Sequence, residues 1–183
     1  MFTIKFLAKL FSILRSGASP AQISWGIVFG MIMGLTPVLS LHNLVLVFLM
    51  IIFEINISMA LFSMAIFSGI AYIFDPYFHS LGYYILVDVE SMQETWNNFY
   101  NIPILALSRF NNTIVMGSLA ASLALVIPVF FLGKQFVVVY RTKVDPYVEK
   151  WKVMKMIEFK ILRNLHKNKR VEGIMFRKKR NYR

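Results

Sequence analysis

Two of the three histidines in this chain sit where their chemistry could matter. His42 and Asn43 lie inside a long stretch that carries no charged side chain at all. An imidazole at membrane depth could bind a solute or relay a proton near neutral pH; at an exposed turn it would be only an interfacial side chain. Asp75 and His79 are four residues apart, so on a helix they share one face and could form a carboxylate–imidazole pair. The plainer role for Asp75 is a helix cap before Pro76, and Asn56 is a third polar residue suited to capping. Metal binding would need more ligands, and Asp88 and Glu90 fall into no ligand motif. The chain has no cysteine, which excludes disulfides, thiolate metal sites and a cysteine nucleophile. It also lacks a Gly-x-Ser-x-Gly elbow, a His-Glu-x-x-His pair, a phosphate-binding loop and a dinucleotide fingerprint. The serines of the apolar stretches have no credible base partner. The expectation is a protein that is not an enzyme and carries no cofactor.

The element that must position His42 is the charge-free run itself, 38 residues between Arg15 and Glu54. As one helix it would reach about 57 Å, nearly twice the ~30 Å hydrocarbon core of a bilayer, so it must fold back. Ser19-Pro20-Ala21-Gln22 predicts a capped start for a helix over 20–35, and Thr36-Pro37 separates it from a second helix over 39–53. Both are short for an upright span. They form either two thin crossings or a re-entrant pair that turns at membrane depth, an arrangement associated with transporter-type sites. A third helix is expected over 57–74, closed by Asp75-Pro76, which then opens a short amphipathic segment to about Leu86. The polar, aromatic stretch with Trp96, Tyr100 and Phe110 reads as an interfacial lid. Asn111 or Asn112 caps the last long apolar helix, from about Thr113, with tilt or a kink at Pro128.

Charge sets the orientation. The chain is 183 residues long, 57% hydrophobic, with a mean hydropathy of +0.60 and a net charge of +11. That is too apolar for a soluble domain of this size. Residues 1–16 carry +3, residues 17–133 carry −4, and residues 134–183 carry +12. Basic flanks stay cytoplasmic, which places both termini inside and the outer-face segment 75–111 outside. Residues 1–16 read as an amphipathic interfacial helix with Phe2, Phe6 and Leu10 opposite Lys5 and Lys9, or equally as a helix docked against the bundle. Residues 17–140 form the membrane domain, and 141–183 a basic cytoplasmic helix and tail. In that tail Trp151, Met154, Ile157 and Ile161 form an apolar stripe. Lys150, Lys152, Arg163, Lys167 and the cluster Arg177, Lys178, Lys179 and Arg180 suit an anionic inner-leaflet surface or an acidic cytoplasmic partner. Specific nucleic-acid binding would explain the charge but not the stripe.

Gly26, Gly30 and Gly34 recur every four residues and give one helical face without side chains, a packing device of membrane helices. Gly117, Ala121 and Ala124 offer a matching small face on the last helix, for packing within the chain or in a homo-oligomer.

The Ser19-Pro20 start, the three glycines, Pro37, Asn56, Asp75-Pro76 and Gly82 together resemble a bacterial membrane family catalogued as domain of unknown function two thousand and sixty-two. The stretches Gly34-Leu35-Thr36-Pro37-Val38-Leu39-Ser40-Leu41-His42-Asn43 and Phe110-Asn111-Asn112-Thr113 through Gly117-Ser118 resemble a narrower subgroup. The resemblance covers about residues 19–141 and implies a small polytopic inner-membrane protein, without implying a substrate. The expectation is thus an all-α membrane protein with about four membrane-embedded helices and surface helices at both ends. Its leading role is anchoring or assembly in the envelope; the alternative is a small oligomeric transporter or lipid-handling protein built on the broken pair 20–53.

Overall fold

The computed structural model of the chain describes residues 10–38 and 40–148, and every regular element among them is helical. After a helical turn at residues 10–14 come α1 (Pro20–Leu35), α2 (Leu41–Ile52), α3 (Ile57–Tyr83), α4 (Glu90–Tyr100), α5 (Pro103–Leu107), α6 (Thr113–Val139) and α7 (Asp145–Val148). Two π-helical segments, Tyr84–Asp88 and Tyr140–Val144, extend α3 and α6.

Local hydrogen bonds start the helices where the sequence places them. Ser19 Oγ accepts from the Gln22 amide at 3.1 Å while Gln22 Oε1 accepts from the Ser19 amide at 2.9 Å, a reciprocal capping box with Pro20 at the first helical position. Asn56 Oδ1 accepts from Met59 N at 2.9 Å, and Asn112 Oδ1 accepts from Ile114 N at 2.9 Å.

One expected boundary is wrong. Asp75-Pro76 does not end the third helix: α3 runs through it to Tyr83, so residues 75–83 continue one long helix. Proline removes one amide donor, but a helix in an apolar setting loses more by unwinding and leaving several backbone groups unmet. Helical backbone also continues from α6 through the second π segment into α7.

The three helices α1, α3 and α6 pack against one another, and glycine lies at each pairwise contact. A Cβ on Gly26 would lie 2.8 Å from Asn56 O, one on Gly30 2.2 Å from Ala60 O, and one on Gly34 2.6 Å from Met64 O. The register rises on both helices together, so α1 and α3 are parallel. Gly117 meets Phe78 and Gly82 of α3, and Gly133 meets Ser24 and Ile27 of α1, so α6 runs antiparallel to both. The small face of α1 therefore packs on the start of α3, and Gly117 serves a different crossing; Ala121 is half-buried in the core and Ala124 is exposed. Hydrogen bonds reinforce the contacts, from Ser63 Oγ to Ile27 O at 2.9 Å and from Ser24 Oγ to Phe130 O. Eleven of the sixteen residues of α1 are buried.

Because α3 starts beside α1's first turns, α2 must bring the chain back to that level, and α1–α2 is a helical hairpin. Gly34 stands beside Met64–Ser68 of α3, whose 27 residues span about 40 Å. The hairpin thus turns about 20 Å short of the end of α3. Its His42 side lies against Val115, Met116 and Leu119, and Leu119 is six residues, about 9 Å, inside α6.

The outside of this bundle is apolar. Ile57–Asp88 and Thr113–Val144 are each 32 residues long and apolar enough to cross a membrane, yet only 28% and 22% of their most apolar windows is buried by the protein. Leu44, Phe48 and Ile51 of α2, Tyr72 and Ile73 of α3, and Phe131 and Leu132 of α6 are all exposed. Exposed apolar surface on this scale marks a face for contact with a membrane or with other protein.

Candidate functional site

The break between α1 and α2 leaves carbonyls without helical partners, and Asn43 supplies them. Its Nδ2 donates to Pro37 O at 3.0 Å and to Val38 O at 3.2 Å. Thr36 Oγ1 lies 2.8 Å from Ile32 O and 3.2 Å from Asn43 Oδ1, and its one proton can serve either acceptor. Thr36 and Asn43 are both buried. Pro37 has no amide to satisfy, which makes it the natural residue for this turn. Asn43 is therefore committed to backbone, and what remains for a ligand is His42.

His42 is half-buried, with Nε2 2.9 Å from Ser40 Oγ. It opens on a cavity of about 250 Å³ walled by Leu41, Val45, Leu105, Ser108, Met116 and Leu119 among others. The loop after α5 brings Ser108 and Phe110 over the turn. That loop is shaped by Arg109, held at φ 57°, and the Phe110 ring packs tilted against Trp96 with ring centres 6.1 Å apart. Trp96 in turn donates to Ile85 O at 3.1 Å and Gln93 Nε2 to Val87 O at 3.0 Å, so α4 satisfies carbonyls of the first π segment. The lid over His42 is tied to the end of α3 by side-chain donors. The cavity is mostly apolar, with the His42 imidazole and the Ser108 hydroxyl as its polar side chains, an arrangement able to hold an amphiphile.

The other polar candidates do not join this site. Asn56 is a cap at the base of α3. Asp75 is half-buried inside α3. His79 does not pair with Asp75: its Nδ1 lies 2.6 Å from Thr113 Oγ1, across the contact between α3 and α6. Among the described residues no group of three His, Asp or Glu side chains could hold a metal ion. Lys150, Lys152, Arg163, Lys167, Arg177, Lys178, Lys179, Arg180 and residues 1–9 lie outside the described residues.

A second polar cluster escapes a sequence reading. Arg141 donates from Nε to Leu14 O at 2.8 Å and from Nη2 to Ser16 O at 2.9 Å and Ala18 O at 2.8 Å. Arg15 forms an ion pair with Asp145, and Tyr140, stacked on Phe11, donates to the same carboxylate at 3.3 Å. These contacts fasten residues 10–18 to the end of α6. Arg15 and Asp145 are 130 positions apart; the only sequence signal was that charges resume together at both ends of the apolar body.

Residues 5–144 match a family described as uncharacterized protein conserved in bacteria (DUF2062). An uncharacterized protein of Treponema pallidum (strain Nichols) is 28% identical over 145 residues, which is 79% of this chain and 89% of that protein. No solved structure matches the chain.

Proposed function

From the premise that this chain belongs to the DUF2062 family of bacterial proteins, we propose a multi-pass inner-membrane protein, without catalytic activity, that handles a lipid or other amphiphile at the turn of a re-entrant hairpin. In this reading α3 and α6 cross the bilayer, α1 and α2 enter and leave from the cytoplasmic face, and both termini are cytoplasmic. The positive flanks support that orientation. The exposed apolar faces of the two 32-residue helices support the bilayer itself. The observation that carries the function is the position of the turn: Thr36–Ser40 stops inside the lengths of both long helices, with its irregular backbone satisfied by Asn43 and His42 facing a cavity. Non-helical backbone at membrane depth is tolerated where protein covers it or a water-filled cavity adjoins it.

A second reading, anchoring or assembly through the basic tail, is favoured by the +12 charge of residues 134–183. Accessibility of introduced cysteines separates them, since the native chain has none. Val38 is 57% exposed in the protein alone, so lipid must be what shields it if the hairpin is re-entrant. With a membrane-impermeant maleimide added outside, Val38→Cys stays unlabelled and His42→Cys reacts. Labelling of Val38→Cys, Ser40→Cys and His42→Cys alike would remove the re-entrant reading. If His42→Ala leaves function intact while deletion of 150–183 destroys it, the anchoring role stands.

A further inference from the structure

A second concavity opens at the opposite end of the hairpin, where α2 diverges from α1. Trp25, Phe29, Phe53 and Ile55 line a cleft of about 410 Å³ with almost no polar surface. Phe29 is one turn farther from the base than Trp25, so the cleft runs up α1 toward the middle of the bundle. Two charged residues lie next to its lining, one along the chain and one along α6. Glu54 lies in sequence between two of the lining residues, and its φ of 51° turns the chain sharply there. Lys134 follows Phe130 by four residues on one face of α6, and the Phe130 ring is 4.6 Å from that of Trp25. Both are exposed, and neither side chain has a hydrogen bond or ion pair to another described residue.

We propose that this cleft binds one inner-leaflet phospholipid with a zwitterionic headgroup that bears a primary ammonium, of the phosphatidylethanolamine class. An acyl chain lies along Trp25 and Phe29, Lys134 meets the phosphate and Glu54 accepts hydrogen bonds from the ammonium. The charge pattern chooses among lipids. A purely anionic headgroup would meet Lys134 but be repelled by Glu54. A quaternary ammonium has no N–H to donate to Glu54. The site is separate from the His42 cavity, and the proposal rests on the membrane orientation given above.

The test uses the full chain with Trp96→Phe and Trp151→Phe, leaving Trp25 as the one emitter. It is reconstituted in phosphatidylcholine vesicles that carry equal fractions of dibrominated phosphatidylethanolamine, phosphatidylcholine or phosphatidylglycerol. Trp25 fluorescence should be quenched most by the brominated phosphatidylethanolamine, with a relative affinity about threefold over phosphatidylcholine, the size one exposed charge pair supplies. Lys134→Gln and Glu54→Gln should each bring these two quenching curves together. Equal quenching in the unsubstituted background, a preference for phosphatidylglycerol, or a preference that survives both substitutions would each overturn the proposal. If the Trp96→Phe change lowers the yield of folded protein, the same comparison is made as the difference between the native chain and Trp25→Phe. Failure of the chain to float with vesicles would instead remove the membrane reading itself.

Discussion

Asn43 and Pro37 are joined across the hairpin turn by a 3.0 Å bond from the Asn43 amide to the proline carbonyl. The same side-chain nitrogen serves Val38 O, so one buried residue closes the break in the helix. Asn43→Ala leaves two carbonyls unmet and should lower stability by about 1–3 kcal/mol, read as a fall in the thermal unfolding midpoint in detergent. His42→Ala, which removes no backbone partner, should fall within about 0.5 kcal/mol of the native chain. Equal losses from the two changes would contradict this division of labour.

Gly30 and Gly69 predict opposite outcomes for the same substitution. A Cβ on Gly30 would lie 2.2 Å from Ala60 O, whereas one on Gly69 would meet nothing within 4 Å. Gly30→Ala must push α1 from α3 and should cost about 1–3 kcal/mol. Gly69→Ala gains helix propensity and should be neutral or stabilising by up to ~1 kcal/mol. Chemical unfolding of both variants checks the contrast.

Arg141 is the fastener of the N-terminal segment, through three carbonyls at 2.8–2.9 Å. In Arg141→Ala, amide hydrogen exchange should accelerate over residues 10–18 and stay unchanged in α1. Arg141→Lys should recover only part of the protection, because an ammonium cannot reproduce the planar guanidinium fork. Faster exchange spread across the whole bundle would show that the contact holds more than this segment.

Arg109 is held at φ 57°. Glycine adopts that conformation without the ~1–2 kcal/mol steric cost of a side chain, so Arg109→Gly should raise the unfolding midpoint slightly. Arg109→Val, β-branched at the same φ, should lower it and loosen the lid over His42, detectable as faster labelling of His42→Cys.

The helix starts at Ser19, Asn56 and Asn112 were legible in the sequence because each rests on bonds spanning three residues or fewer. The apolar body and the uneven charge were legible for a similar reason, since they are properties of composition. Asp75-Pro76 misled for a physical reason: a local stop signal costs a few kcal/mol, and packing and the demand for satisfied backbone in an apolar setting outweigh it. Asp75 and His79 share one helical face without pairing, because Thr113 of another helix stands beside His79.

The sequence by itself determined that this chain is helical, is apolar over most of its length, and breaks at Thr36-Pro37 between two short helices. It also showed that Gly26, Gly30 and Gly34 form one small face. Only the tertiary structure decided which helix that face meets. The parallel register of Gly30 on Ala60 sets how far the hairpin climbs along α3, and with it the place of His42 beneath its lid. Periodicity fixes the direction a side chain takes from its own helix axis. It carries no information about which of several apolar helices stands opposite, because that choice depends on close fit between surfaces distant in the chain.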